Sequence, residues 1–193
     1  MWDAENSARR EIYKVIQYNY KGMSIDKALR WSLVLLTCAL VAVVGSTLRD
    51  HVVNAGDSAP SFTVTTASGK KISEDSFGGK ILVLNFWATW CPPCLSELPS
   101  LNEMAATLKN DGVVVLGISV DKEKADYDKF LKKVKLNFET AHDPSAEISV
   151  EYGTFKYPET YVIDRNGKVL EKFIADRDWM DPQILQRLKG YAK

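Results

Sequence analysis

The sequence predicts an α/β domain, a mixed sheet flanked by helices, preceded by one transmembrane helix. Three observations carry that expectation. Two apolar runs, Lys80–Ala88 and Val113–Val120, are each followed by apolar residues at helical spacing, as in βα units with a buried sheet. A turn at Asp164-Arg165-Asn166-Gly167 joins two later strand-like runs, so the sheet must include an antiparallel pair. Finally, Trp31 to Leu48 contains no charged residue; as a helix it would span roughly 27 Å, near the thickness of a bilayer core.

These features divide the chain into an N-terminal segment (1–30), an anchor (31–48), a linker (49–56) and a domain (57–193). Arg9, Arg10, Lys14, Lys21, Lys27 and Arg30 precede the apolar run, and only Arg49 follows it closely. The positive-inside tendency therefore puts the N-terminus in the cytoplasm and the domain in the periplasm or another extracytoplasmic space. Disulfides persist there. Val43-Val44-Gly45 could pass as a cleavage site, Leu35-Leu36-Thr37-Cys38 faintly suggests lipid attachment, and Met23 offers a second start. A leader of this length is long for a signal peptide, so a retained anchor is expected. Ile12, Val15 and Ile16 suggest a short amphipathic helix before it.

Within the domain, Ser61–Thr65 and Lys71–Ser73 flank a turn at Ala67–Lys70 and read as a hairpin. The first buried strand leads into a helix from Cys91 to about Lys109, with Leu95, Leu98, Leu101, Met104, Ala105 and Leu108 on one side and Pro99 as a kink. Behind the second strand, Asp121–Lys135 reads as an amphipathic helix carrying Tyr127, Phe130, Leu131 and Val134; Lys129, Lys132, Lys133 and Lys135 form its solvated face. Asp143-Pro144 suggests the start of a short inserted helix through Glu151. Thr160–Ile163 and Lys168–Ile174 form the late hairpin, and Asp181-Pro182 opens a last helix with Ile184, Leu185 and Leu188.

Chemistry concentrates at Trp90-Cys91-Pro92-Pro93-Cys94, directly behind the first buried strand. Cysteines three apart on a helix share a face, so their sulfurs can bond. Cys91 falls at the helix N-terminus, where unpaired N–H groups and the dipole favour a thiolate. It is the expected nucleophile, and Cys94 the resolving thiol. Pro92 fits the first turn, where a missing N–H costs little. A zinc site lacks ligands: beyond the pair, the chain holds only Cys38, His51 and His142 as further cysteine or histidine. With 25 basic and 25 acidic residues, the chain carries no charge footprint for nucleic acid.

The element order, with Trp-Cys-x-x-Cys after the first core strand and Tyr157-Pro158 before the hairpin, resembles the thioredoxin fold over residues 57–191. Asn85-Phe86-Trp87-Ala88-Thr89-Trp90-Cys91-Pro92-Pro93-Cys94, Glu97-Leu98-Pro99 and Tyr152–Asp164 resemble its membrane-anchored TlpA, ResA and CcmG branch. The resemblance implies a thiol-disulfide oxidoreductase whose only redox group is the dithiol, with no metal or other cofactor. It implies reduction of disulfides in exported proteins, apocytochrome c among them, with electrons from a transmembrane thiol carrier of the DsbD or CcdA type. It also implies a cis Pro158 opposite the cysteines, with Tyr157 exposing backbone for an added substrate strand. Glu97 matches the family's acidic residue near the dithiol and is expected to move protons. Thioredoxin proper carries an aspartate where this chain has Asn85, which leaves Glu97 as the better candidate for deprotonating Cys94. Trp90, Pro92, Tyr157, Pro158 and Glu159 are the expected substrate-side residues, with Trp90 flanking an exposed sulfur and Glu159 a second possible acid. Trp87 is expected in the core.

The same residues admit three rival readings. A CxxC pair can also run as a disulfide-forming oxidant or isomerase, according to its potential. A Cu(I)-delivery protein could use Cys91, Cys94 and His142. A thiol peroxidase of the peroxiredoxin kind would need Pro-x-x-x-Thr-x-x-Cys, but those positions hold Leu84 and Ala88.

Overall fold

The computed structural model describes residues 2–47 and 52–193. The chain divides into two units between residues 50 and 51. The first is a single helix, α1 (Trp2–Thr47). The short amphipathic helix expected near Ile12 is therefore part of one continuous element. Within α1, Asp26–Gly45 is long and apolar enough to cross a membrane, and its side chains are exposed. Leu48, Arg49 and His51, and the side chains of Ile12, Val15 and Ile16, lie outside the described residues.

In the second unit, β1 (Thr63–Thr65) and β2 (Lys71–Ser73) form the expected hairpin. The main sheet is built from β3 (Ile81–Trp87), β4 (Val113–Ser119), β5 (Glu139–His142), β6 (Glu159–Ile163) and β7 (Val169–Ile174), in the order β5-β4-β3-β6-β7. Strands β3, β4 and β5 run parallel; β6 is antiparallel to β3, and β7 to β6. All seven residues of the central β3 are buried, which explains why all but Asn85 are apolar.

The pleat of β3 separates two cores. Leu82, Leu84 and Phe86 pack with Phe62, Ile72, Tyr152 and Tyr161 under the hairpin. Ile81 and Val83 face Leu101, Met104 and Leu108 of α2 (Pro92–Leu108) and Ile184 and Leu188 of α5 (Pro182–Tyr191). Asp181 caps α5 by accepting the Gln183 N–H at 2.7 Å. The domain also takes in residues assigned to the linker: Val53 is fully buried, and its N–H donates to the Tyr152 carbonyl at 3.2 Å.

Three elements depart from expectation. Strand β5 carries no strand pattern in the sequence, because only its two middle residues are buried; it pairs with β4 on one side and, on the other, meets the chain after β1 through a Thr66–Ala141 bridge. Helix α3 covers Lys124–Leu131 rather than Asp121–Lys135. Asp121 is held back by side-chain bonds (below), and the chain leaves the helix after Lys132 although Val134 keeps the apolar period. Helix α4 (Glu147–Glu151) starts past Pro144, because Ala146 takes a left-handed conformation at φ 56°. Asp143 still serves it, accepting the Ile148 N–H at 3.0 Å.

Candidate active site

Strand β3 delivers Ala88, Thr89 and Trp90 to the start of α2, with Cys91 as the N-cap residue in extended conformation. Pro92 and Pro93 occupy the first helical positions, where their missing N–H groups would have been unpaired in any case. The Cys94 N–H instead donates to Cys91 Sγ at 3.3 Å, an orientation that favours negative charge on that sulfur when the pair is reduced. The two cysteines are joined in a disulfide with Cα atoms 5.3 Å apart. Helix α2 continues through Pro99.

The Cys91 sulfur was expected to be exposed. In this oxidised state Cys91 is only 4% exposed and Cys94 2%, because both pack with Trp87, Ala88, Val120 and Tyr127. Trp90 does stand out, 61% exposed, with its ring edge-on to Tyr157 at 6.1 Å. The Tyr157-Pro158 peptide is cis, as the family resemblance implied. Pro92 is exposed, Tyr157 half-buried and Pro158 buried.

Glu97 lies one helical turn beyond Cys94 and is 3% exposed. Asn85 Nδ2 donates to its Oε1 at 2.9 Å, and Trp179 Nε1 to its Oε2 at 3.0 Å. Burial pushes the carboxyl from 4.5 up to about 7, against the opposing pull of the Trp179 and Asn85 side chains, the Arg177 backbone N–H and the Arg177 charge. Asn85 also donates to Thr160 Oγ1 at 2.8 Å, which ties Glu97 through β3 to β6.

Glu159 has a different environment. Its Oε1 accepts from Lys172 Nζ and from the Tyr161 hydroxyl, each at 2.6 Å, and it is 2% exposed. This ion pair engages the carboxylate within the β6–β7 hairpin. Burial, then the bond to Glu159, pushes the Tyr161 hydroxyl well above the usual phenol range.

Sequence reasoning missed a clasp behind the cysteines. Asp121, 1% exposed at the end of β4, accepts the Thr89 N–H at 3.1 Å and the Thr89 and Ser119 hydroxyls at 2.6 Å each. The available signal was an acid directly after a parallel strand, at the carboxyl edge where sites on such sheets gather. His142, weighed above as a copper ligand, donates from Nε2 to the Asp121 carbonyl at 2.6 Å and stacks on Tyr127 at 5.1 Å. Among the described residues, no cluster of three or more His, Cys, Asp or Glu converges as a metal cage.

Chemistry of this kind on this strand order defines a thioredoxin-like dithiol enzyme. Comparison with known proteins narrows the class. The chain belongs to the AhpC/TSA family, whose model matches residues 55–172, and to its thiol-disulfide oxidoreductases. It is 34% identical over 166 residues to the thiol-disulfide oxidoreductase ResA of Bacillus thuringiensis subsp. konkukian, covering 83% of this chain and 92% of that one. A solved chain from Chlorobium tepidum, assigned as thiol:disulfide interchange protein DsbE, superposes with a TM-score of 0.67 at 32% identity, covering 74% of this chain and 99% of that chain. The exposed lipoprotein thioredoxin of Streptococcus pneumoniae gives a TM-score of 0.59 at 31% identity, covering 68% and 99%.

Proposed function

We propose that this enzyme is a membrane-anchored, extracytoplasmic reductant of protein disulfides, with apocytochrome c among its substrates. The observation that carries the reading is the buried Glu97 beside a helix-capping CxxC pair, a proton acceptor next to a resolving thiol. In the first step the Cys91 thiolate attacks a substrate disulfide, forms a mixed disulfide and expels one substrate thiolate. Glu97, with its carboxyl near 7, then takes the Cys94 proton. Cys94 attacks Cys91 Sγ, expels the second substrate thiolate and leaves the Cys91–Cys94 disulfide. Two electrons pass to the substrate, and a transmembrane thiol carrier of the DsbD or CcdA type restores the dithiol. Trp90, Pro92 and the Tyr157-Pro158 loop form the substrate side, where an extended segment can pair with the exposed backbone. Residues 26–45 are the anchor, with the basic N-terminal segment in the cytoplasm.

The deciding measurement is the equilibrium potential of the Cys91–Cys94 couple. A value near about −270 mV fits a reductant; one approaching about −120 mV makes the enzyme a disulfide donor. A Cys94→Ser variant is expected to accumulate mixed disulfides through Cys91, and their absence would make this order of attack wrong.

A further inference from the structure

Of the side chains that hydrogen-bond Glu97, one comes from far along the chain. Trp179 lies between β7 and α5 and is fully buried, its indole edge-on to Phe173 at 5.4 Å. It is tied to α2 at two points: its backbone N–H donates to Ser100 Oγ at 3.1 Å, and its indole N–H to Glu97 Oε2 at 3.0 Å. An N–H donor bonds a carboxylate more strongly than a carboxylic acid, so this contact opposes the effect of burial.

The surroundings contain one other charge of consequence. The Arg177 guanidinium lies 4.2 Å over the Phe173 ring, acts on Glu97, and is itself influenced by Glu171, Arg187 and Asp176. From β3 and β6 come only the neutral Asn85 and Thr160. On α2 the neighbouring ionisable residue is Cys94, which is bonded to Cys91.

We propose that Trp179 is a positioning residue for the exchange reaction: its indole N–H orients the Glu97 carboxyl next to the dithiol and biases it toward the ionised, proton-accepting form. The catalytic part of this proposal rests on Glu97 acting as the proton carrier under the function proposed above. The packing of the indole and the donor function of its nitrogen are separable, because phenylalanine keeps an aromatic ring and loses only the N–H and part of the area.

The test uses the full chain in detergent micelles. The infrared carbonyl band of protonated Glu97, identified by its disappearance in Glu97→Gln, is followed against pH in the wild type and in Trp179→Phe. A second variant carries a benzothiophene isostere of the Trp179 indole, which keeps its shape if Trp179→Phe folds poorly. The expected result is a midpoint about one pH unit higher in both variants, roughly fivefold less carboxylate at pH 7. An unchanged midpoint overturns the proposal, whatever Glu97 does. The pH profile of mixed-disulfide resolution by Cys94 is then expected to move up by the same amount. If the band moves while the profile stays, and Glu97→Gln keeps the wild-type profile, the proton-carrier reading has failed and the catalytic part of the proposal with it.

Discussion

Glu97 should make the domain less stable as pH rises, opposite to the usual behaviour of a structural carboxylate. In the folded protein its carboxyl is pushed from 4.5 to about 7. Between those values the native state holds a proton that the unfolded state has released. The Glu97 contribution is therefore full below about pH 4.5, falls as pH rises toward 7, and levels off above it. A gap of about 2.5 pH units corresponds to roughly 3 kcal/mol. At 3% exposure, solvent screening does little to reduce that figure.

The perturbation is Glu97→Gln, read as the pH dependence of the difference in unfolding free energy from the wild type. Urea unfolding of the oxidised domain beginning at residue 50 provides the measurement. Glutamine opposes one of the two side-chain donors with its own NH2, so the variant carries a constant penalty. The slope is the readout and the offset is not. Other titrating groups are common to both proteins and cancel. The wild type should lose roughly 3 kcal/mol relative to the variant between about pH 4 and about pH 8.5. A difference flat to within about 0.5 kcal/mol over that range would refute the reasoning, since it requires Glu97 to titrate alike in folded and unfolded chains.

Three further outcomes follow from the packing. A domain truncated to begin at Ala55 lacks Val53, its N–H bond to Tyr152 and its carbonyl bond from Lys172. It should unfold with roughly 2–4 kcal/mol less stability than one beginning at residue 50, and equal urea midpoints would place Val53 outside the core. Lys172→Met strands the buried Glu159 carboxylate beside Tyr161, and thermal melts should reveal a loss of roughly 3–5 kcal/mol. Gly117→Ala would put a Cβ 3.0 Å from Trp87 Nε1 and 3.1 Å from Phe138 Cε2. Denaturant titration should show a cost of roughly 1–3 kcal/mol, with the near-ultraviolet tryptophan signal altered as Trp87 shifts.

The elements that could be read from the sequence are those whose signal is local. Strand β3 is apolar at every position but Asn85 because both of its faces are covered, and α5 begins where Asp181 can cap it. The missed or misplaced elements depend on partners distant in sequence. Glu139-Thr140-Ala141-His142 carries no strand alternation, and pairing with β4 and a bridge to Thr66 recruit it to the sheet edge. The apolar period through Val134 outlasts α3 because Val134 is needed near Leu95 and Phe130, where it lines an apolar groove without remaining helical. The same division holds at the site. Cys91, Cys94 and Glu97 share a short motif, whereas Trp179 stands 82 residues from Glu97 and no spacing rule connects them.

The clasp behind the cysteines bears on the peroxidase alternative. A peroxidatic thiol of the kind weighed above needs a threonine hydroxyl three residues before the cysteine, and Ala88 fills that position, fully buried. The neighbouring hydroxyl, on Thr89, is already committed, donating at 2.6 Å to a carboxylate that also binds the Thr89 N–H. The loop that could have offered a donor to peroxide is instead locked to the end of β4, and its fixed geometry brings Cys91 to the helix terminus with Cys94 in bonding range. Asp121 thus fixes the loop that leads from β3 into the CxxC motif.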